Sequence, residues 1–487
     1  MKNILTVLLS FWFLTTYGQT EFIESDFIKS ERKINYPIKS STTKNGDIIV
    51  LSVGKNRGSY SYKRDYTLIH YDKNLKLIKE KKIFEKFKHT ILGFEVVDNY
   101  VNIIVADKYE NRMKKVKRYF CPVDDFDIQE QTLYERKSGK GSADFSISEN
   151  KKYYSLVVGE KTIRKNLLYF EKANEILNFN SKFEVIESYN VEDMQSEDIY
   201  SVEYIYTLND NTTLLLVKEE IDKNDFVYKF IKVKDGSKDI LNIDLDNKIV
   251  EDLEIFIKNN QVYLAGHYSN DKKSRELNGF YFSKLNLQNF NQDFVNTTPF
   301  EKEYIDKMNL ITYNSDSDQI KNLEILDFYE TKDSYILFNE ASYVHTIPST
   351  QTNSNSAVSS FYFGNISINK FDKEGELKKF KILYKNIRNQ SNYPENSSVA
   401  IIKKQDHFHI FQNSSSVEED GQKVYKYTDN ESFNYEFIYN HDLEQEIKKH
   451  ETLPLIPVNY NSFNNDFLLL FSDETDGSRL IKVTPEN

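Results

Sequence analysis

The sequence has little cysteine, glycine and proline. Its 487 residues include 1 Cys, 15 Gly and 8 Pro. With the single thiol of Cys121 the chain can form no internal disulfide, and so few glycines leave little material for loops that cradle phosphates or dinucleotides. No Gly-x-Ser-x-Gly, His-Glu-x-x-His or phosphate-loop motif occurs. The composition disfavours the common cofactor enzymes, and we expect no cofactor and no catalytic residue set.

Long apolar runs are also missing, except at the N-terminus. Residues Ile4–Leu14 are largely apolar, follow a lysine and precede small residues up to Gly18. This run is too short for a bilayer, which takes about 20 residues, and it is typical of a secretory signal peptide. No Cys lies directly after this run, so a lipid-anchored form with an acylated N-terminal Cys is excluded. We predict a signal peptide over 1–18, one domain over 19–487, no membrane span, and a periplasmic or extracellular location.

The net charge of −11 is the main electrostatic feature of the chain. Nucleic-acid binding needs a basic surface, so the net charge disfavours DNA and RNA as partners. The distribution of charge matters more than its sum, because a local basic sector can still attract an anion.

Short apolar bursts recur along the whole chain, whereas helical periodicity is scarce. The strongest bursts each follow a polar turn and lie about 50 to 73 residues apart, against about 40 to 50 for propeller blades. They are marked by Ile48, Val101, Tyr153, Thr213, Val262, Tyr335, Phe408 and Phe467. Each burst has one strand-like segment before it and one after it, then a weaker Lys-rich segment whose lysines would protect an exposed sheet edge. This pattern predicts an all-β, eight-bladed β-propeller with the most apolar strand second. Seven blades, or a series of β-sandwich domains, are the alternatives.

Two features support a closed ring of repeats. The segments "IHYDKNLKLIKE", "INKFDKEGELKKF" and "IYNHDLEQEIKKH" share an Asp before a Lys-rich stretch. We predict that Asp72, Asp372 and Asp442 occupy the turn between third and fourth strands and hydrogen-bond their own backbone there. The last unit ends after its third strand, and the segment Glu21–Glu31 could supply the fourth. Such a junction of the two termini would leave no free sheet edge in the ring.

The pattern resembles β-propeller proteins, in particular the uncharacterised exported propellers of bacteria. The resemblance is architectural and covers the predicted mature chain. The kelch glycine pair, the Trp-Asp dipeptide and the sialidase box are all missing. No functional residue can therefore be transferred from those families.

Basic residues concentrate in the loops between second and third strands. In a propeller these loops and the blade-to-blade connections open on one side, here called the loop-rich face. The opposite side, the short-turn face, carries the other turns. We predict that the basic loops bind a protein or an anionic polysaccharide; the alternative is that they are only solvated. The candidate ligand-binding residues are Lys55, Arg57, Lys63, Arg64, Arg112, Lys114, Lys115, Arg164, Lys165, Lys272, Lys273 and Arg275.

Other candidate sites are poor. His407 and His409 would point to the same side of a strand, but no neighbouring ligand in the sequence completes a metal site, and we expect no metal. The polar segments Asp316–Gln319 and Ser472–Ser478 are interpreted as turns. Cys121 is predicted to pack in the core.

The sequence favours an exported, monomeric, non-catalytic binding propeller. A glycan hydrolase or lyase with carboxylates in the central channel is the first alternative, and a cell-envelope scaffold is the second. The polar segments Ser342–Ser360 and Asn413–Ser432 are expected to be inserted loops. A carboxyl group with a raised pKa in the channel would favour the enzyme.

Overall fold

A computed structural model describes the chain. The described residues are 20–26, 28–29, 35–54, 64–87, 89–109, 112–136, 141–163, 169–190, 200–222, 225–243, 245, 248–258, 261–271, 276–310, 319–347, 358–389, 399–419, 422–426, 433–450, 456–463, 466–474 and 477–486.

The first four blades are four-stranded antiparallel sheets of consecutive strands. Blade 1 consists of β3 (Asn35–Thr42), β4 (Ile48–Gly54), β5 (Arg64–Tyr71) and β6 (Leu77–Phe87). Blade 2 consists of β7 (Thr90–Val97), β8 (Tyr100–Tyr109), β9 (Arg112–Pro122) and β10 (Gln129–Glu135). Blade 3 consists of β11 (Gly141–Ile147), β12 (Tyr153–Ile163), β13 (Tyr169–Asn180) and β14 (Val185–Asn190). Blade 4 consists of β15 (Tyr200–Thr207), β16 (Thr213–Asp222), β17 (Asp225–Lys234) and β18 (Ser237–Ile243).

The remaining blades carry additions. Blade 5 consists of β19 (Ile249–Lys258), β20 (Gln261–Ser269), β21 (Gly279–Asn286) and β22 (Asn291–Pro299), and helix α1 (Lys302–Asn309) follows it. Blade 6 consists of β23 (Glu324–Glu330), β24 (Tyr335–Ile347), β25 (Val358–Phe371) and β26 (Leu377–Leu383), with β27 (Ile387–Asn389) paired to β25. Blade 7 consists of β28 (Ala400–Lys404), β29 (His407–Glu419), β31 (Phe433–Asn440) and β32 (Gln445–His450), with β30 (Gln422–Lys426) paired to β29. Blade 8 consists of β33 (Ile456–Phe463), β34 (Phe467–Glu474), β35 (Gly477–Thr484), β1 (Glu21–Glu24) and β2 (Ile28–Lys29).

The eight sheets form a ring, and the predicted eight-bladed propeller is confirmed. First strands of successive blades contact one another from blade 7 through blade 8 and onward to blade 4. Eight hydrophobic clusters are found among the described residues, and each lies between one pair of adjacent blades, including blades 8 and 1. The core is therefore divided among the blade interfaces.

The second strand of a blade is the most deeply buried, as predicted. Every residue of β4 is buried, and so are eight of the nine residues of β20. Such a strand packs against neighbouring blades with both of its faces, so it reads as a continuous apolar burst with no alternation. This is why the bursts mark the blades so clearly in the sequence.

The N-terminal strand closes the ring, and this prediction is also confirmed. Strand β1 pairs antiparallel with β35, from Glu21 opposite Thr484 to Glu24 opposite Ile481. Phe22 packs against the cluster between blades 7 and 8. The two ends of the chain thus share one sheet.

The turn between third and fourth strands repeats as predicted, with one correction. Oδ1 of Asp72 accepts hydrogen bonds from the backbone N–H groups two and four residues later, both at 2.9 Å, and Asp372 does the same at 3.1 and 2.9 Å. In the third segment Asp442 lies in the turn, but Asn440 accepts the two bonds, both at 2.9 Å, so the backbone bonding predicted for Asp442 is wrong. An Asn amide oxygen accepts the same two bonds as an Asp carboxylate, which shifts the alignment by two residues.

No helix in the part of the chain described here is long and apolar enough to cross a membrane. Helix α1 has eight residues and was not predicted. The Asn365 side chain donates hydrogen bonds to the carbonyls of Met308 and Leu310, at 3.0 and 2.7 Å, and so holds the C-terminal end of α1 against blade 6.

Candidate functional site

Of the twelve basic residues predicted to bind a ligand, three have described side chains. Arg112 lies in β9, but its side chain is outside the described set. The following candidates lie outside the described residues altogether: Lys55, Arg57, Lys63, Arg164, Lys165, Lys272, Lys273 and Arg275.

Three candidates have described side chains, and two of them are exposed cations. Arg64 begins β5, Lys114 lies near the start of β9, and both are exposed on adjacent blades at the loop-rich end. No ion pair of either is found among the described residues. Lys115 differs, because its Nζ lies 2.9 Å from Glu135 of the same blade. Lys114 and Lys115 belong to a strand, not to the loop predicted for them.

Two carboxylates of the same blades lie near other basic side chains. Asp65 is 3.9 Å from the ammonium group of Lys82, and Asp107 is 3.1 Å from His89. The third strands of blades 1 and 2 thus present positive charge on a chain that is acidic overall.

Lysines of the short-turn face behave differently, because many are used in ion pairs. The pairs at or beside these turns include Lys44–Asp98 at 2.7 Å, Lys81–Asp127 at 2.6 Å, Lys151–Glu95 at 2.7 Å, Lys370–Asp442 at 3.2 Å and Lys373–Glu330 at 2.9 Å. Several of these pairs join neighbouring blades. Among the described residues, these lysines of the short-turn face thus have carboxylate partners, whereas no such partner is found for Arg64 or Lys114.

Blades 6 and 7 rise above the others on the loop-rich face. Strands β24, β25 and β29 have 13, 14 and 13 residues. The expected inserted loops are partly strands: Ser342–Ile347 belongs to β24, and Asn413–Glu419 belongs to β29. The intervening residues 348–357 lie outside the described part.

An aromatic row crosses the raised part of blade 6. Tyr343 pairs with Tyr362 across β24 and β25, and Tyr362 pairs with Arg388 of β27. The tyrosine rings are stacked with centroids 4.5 Å apart and planes 8° apart, and the Arg388 guanidinium lies 5.4 Å from the Tyr362 centroid. The first strand β23 pairs with β24 only as far as Glu340. The row therefore stands above the level at which the inner strand ends.

Carboxyl groups of the inner strands gather between blades 4, 5 and 6. The Tyr204 hydroxyl of β15 donates a hydrogen bond to Glu254 of β19. Burial raises the pKa of Glu254, and the charges of Asp252 and Glu324 raise it further, although the bond from Tyr204 opposes them. The raised pKa of the Glu254 carboxyl is one of the properties expected of a catalytic acid. Sequence reasoning missed it, because its partners lie on other blades.

The two histidines of β29 have different surroundings. His409 is buried and its Nδ1 lies 2.7 Å from Oε1 of buried Glu436, whereas His407 is exposed. Oε2 of Glu436 lies 2.7 Å from His450 Nε2, and the Thr20 hydroxyl donates to the same carboxylate at 2.8 to 2.9 Å. No group of metal-binding side chains is found among the residues described. Glu436 instead joins blade 7 to the residue preceding β1.

A second buried pair also has a structural position. Lys385 and Glu340 are 0% and 1% exposed and form an ion pair on blade 6. Burial lowers the pKa of Lys385. Next to it, the N–H of Asn386 donates to the carbonyl of Tyr425 at 3.1 Å, which ties blade 6 to blade 7.

The remaining predictions concern single segments. Cys121 is buried in the cluster between blades 1 and 2, as predicted, and burial raises the pKa of its thiol to about 12. Asp316–Asp318 and the side chains of Ser472–Ser478 lie outside the described set.

Comparisons with known proteins extend no further than architecture. No family model matches the chain, and no curated protein matches it. The WD40 domain of SCAP from fission yeast is similar at 10% identity and a TM-score of 0.41, covering 96% of this chain and 94% of that one. The polysaccharide lyase Uly1 is similar at 9% identity and a TM-score of 0.40, covering 94% and 100%. The propeller domain of the Trilobed protease from Pyrococcus furiosus is similar at 11% identity and a TM-score of 0.36, covering 88% and 98%. None of these activities transfers to this chain.

Proposed function

We propose that this protein is an exported, non-catalytic binding propeller that recognises an anionic polysaccharide through its loop-rich face. One observation carries the proposal: Arg64 and Lys114 are exposed on adjacent blades and have no ion pair among the described residues, whereas several described cations of the short-turn face are paired. A polyanion that bridges blades 1 and 2 would contact both side chains. The predicted basic residues that precede β5 in the sequence, Lys55, Arg57 and Lys63, would extend this contact.

Export supports the choice of a polysaccharide. The predicted signal peptide would take the chain to the cell envelope or beyond it, where acidic polysaccharides are abundant. A net acidic protein that concentrates positive charge on one face gains specificity and association rate for polyanions from that distribution.

Charge reversal tests the proposal. Binding of the processed protein to polygalacturonate and to dextran sulfate is measured by affinity electrophoresis at low salt, with neutral dextran as the reference. The double variant R64E/K114E is expected to weaken binding about tenfold, because each lost contact at an exposed site is worth up to about 1 kcal/mol. The matched control K44E reverses an exposed cation on the short-turn face and should bind as the wild type does.

Two outcomes would overturn this function. If the wild-type protein binds neither polyanion better than dextran, the anionic ligand is wrong. If R64E/K114E and K44E weaken binding equally, the loop-rich face is not the site.

A second function has one observation in its favour. The raised pKa of Glu254, beside Tyr204 and near Glu324, suits a general acid that protonates a glycosidic oxygen in the channel. In that case polygalacturonate would become shorter on incubation with the wild-type protein, and E254Q would abolish the shortening. An unchanged chain length would exclude this second function for that polymer and leave the binding function intact.

A further inference from the structure

We propose that Lys385 and Glu340 of blade 6 condense to an isopeptide bond, a covalent cross-link between their two side chains. Glu340 lies in β24, and Lys385 lies in the short connection between β26 and β27. The two residues are 45 positions apart in the sequence, and Nζ of Lys385 contacts Oε1 of Glu340. The cross-link is independent of the proposed binding function.

The surroundings of this pair favour a nucleophilic amine. The side chains of Lys385 and Glu340 are 0% and 1% exposed. Ile366 and Ile387 beside them are buried, and the ring centroid of Phe363 lies 5.5 Å from Nζ. Burial lowers the pKa of Lys385, although the charge of Glu340 opposes this effect. A lysine attacks a carboxyl carbon only as the neutral amine, which such burial favours.

Burial also favours the amide over its hydrolysis products. In water an amide hydrolyses because water solvates the ammonium and carboxylate ions that form. In a closed protein interior both ions carry a large desolvation penalty. The amide is uncharged, and its formation releases one water molecule. A buried Lys–Glu pair therefore shifts the equilibrium toward condensation.

The backbone of Lys385 is held in place before the reaction. Its N–H donates to Oδ1 of Asn365 at 2.9 Å, and the residue forms a bridge with Tyr425 of blade 7. Because Nζ contacts Oε1 of Glu340, its distance to the carboxyl carbon Cδ is greater by at most one carbon–oxygen bond. Such positioning makes the attack an intramolecular step with a high effective concentration.

Glu324 is placed to transfer the protons. It lies directly opposite Glu340 in the pairing of β23 with β24, and opposite residues of an antiparallel pair point to the same side. The Ser342 hydroxyl donates to Oε2 of Glu324 at 3.1 Å, and the charge of Glu324 also acts on Lys385. Its carboxylate accepts a proton from the attacking amine and returns it to the departing hydroxyl. The Nζ–Cδ bond forms, the Cδ–OH bond breaks and one water molecule leaves, with no further reactant.

The cross-link fastens the base of the raised sheet of blade 6. It joins the two ends of a segment that spans 45 positions and includes the upper part of β24, all of β25 and all of β26. A covalent link of this kind constrains the unfolded chain, as a disulfide does. The chain has 1 Cys and therefore no internal disulfide, so the isopeptide bond supplies the covalent constraint.

Mass spectrometry of the denatured protein tests the cross-link. The wild type is expected to be lighter than its sequence by one water molecule, and its digest should contain a branched peptide that joins Glu340 to Lys385. K385R should have its full sequence mass, because a guanidinium group stays protonated. E324Q should form the cross-link at least about tenfold more slowly. The matched control K229R changes the Lys229–Glu219 pair, whose lysine side chain is 21% exposed, and should still lack one water molecule.

The wild-type measurement alone can overturn the inference. If the wild type has its full sequence mass and yields the two peptides separately, no isopeptide bond forms, whether or not any variant folds. A loss of water that persists in K385R would also overturn it, because the water would then come from another site. If E324Q forms the branched peptide as fast as the wild type, the cross-link stands and the proton-transfer role of Glu324 is wrong.

Discussion

At the scale of single residues, Glu436 is the most constrained side chain of the ring closure. It is fully buried and accepts from the Thr20 hydroxyl as well as contacting His409 and His450. The bonds from these partners lower its pKa to about 2, against the opposing effect of burial. A buried carboxylate is tolerated only when its oxygens are satisfied in this way.

Removing this charge should destabilise the protein. In E436Q the amide cannot accept at both ends, so a donor is left without a partner, and we expect a loss of about 2 to 4 kcal/mol in the free energy of unfolding at pH 7. Urea unfolding measures it, and E374Q, an exposed glutamate of blade 6, serves as the control with almost no change.

The same substitution should alter the acid dependence. The folded pKa of about 2 lies below the ordinary 4.5, so this stabilisation is complete above pH 4.5 and is lost as the pH falls through 2. The stabilisation that arises from the lowered pKa of Glu436 is up to about 3 kcal/mol. The wild type should therefore lose more stability than E436Q between pH 5 and pH 2.5. Parallel pH profiles for the two proteins would contradict this role of Glu436.

Sequence reasoning found only His409 of this cluster. The alternation of His407 and His409 singled out the strand, but Glu436 reaches His409 through the pairing of β29 with β31, 27 residues away. Thr20 reaches Glu436 only through the closed ring, at a separation of 416 residues. Local spacing carries no signal for such contacts. The same holds for Tyr204 and Glu254, which are 50 residues apart.

At the scale of elements, the turn between third and fourth strands also fills a blade interface. Its fourth residue has a left-handed backbone, with φ of 61° at Leu75, 61° at Phe183 and 59° at Leu443. Each of these side chains is buried against the preceding blade. The left-handed region costs a non-glycine residue roughly 1 to 2 kcal/mol, and burial of a large apolar side chain more than offsets this cost.

In blade 6 the fourth residue of this turn is a glycine. Its turn has Gly375, with φ of 82°, and a Cβ there would lie 2.7 Å from Phe294 of blade 5. The preceding blade thus fills the space that Leu75 or Phe183 fills elsewhere. Glycine is required here by both the backbone angle and the close approach.

Replacing Phe183 with asparagine should separate the cost of the left-handed backbone from the stabilisation that the buried side chain provides. Asn accepts the left-handed conformation readily, but F183N removes a ring stacked 4.2 Å from Tyr154 and covered by Arg118 at 4.1 Å. We expect a net loss of about 2 to 4 kcal/mol in the free energy of unfolding. D235N is the control, since Asp235 is exposed with φ of 48°, and it should change stability by less than about 0.5 kcal/mol. Stabilisation by F183N would show that backbone strain dominates.

The elements were largely predictable, because fully buried second strands produce apolar bursts and Asx residues mark turns. The exceptions have physical reasons. Asn440 and Asp442 both suit a turn, so the choice between them depends on register, which pairing with β32 determines. Strands β27 and β30 and helix α1 are short and polar, and neighbouring blades stabilise them. The hydrophobic periodicity of the sequence therefore does not reveal these three elements.

At the scale of the whole molecule, the ring has two unlike faces. The short-turn face is tied together by lysine pairs between blades, such as Lys44 with Asp98. The loop-rich face carries raised strands on blades 6 and 7 and the cations Arg64 and Lys114 on blades 1 and 2. The sequence predicted which loops are basic, but it could not show that lysines of the opposite face are compensated, because their partners lie on adjacent blades.

The salt dependence of polygalacturonate binding tests this account most directly. If cations of the loop-rich face bind the polymer, each contact releases counterions and adds roughly 0.7 to 0.9 to the slope of log Kd against log salt, as it does for nucleic acids. We predict a slope of at least about 2 for the wild type, lower by about 1 to 2 in R64E/K114E and unchanged in K44E. A slope near zero, or one that R64E/K114E leaves unchanged, would contradict the claim that these cations bind the polyanion.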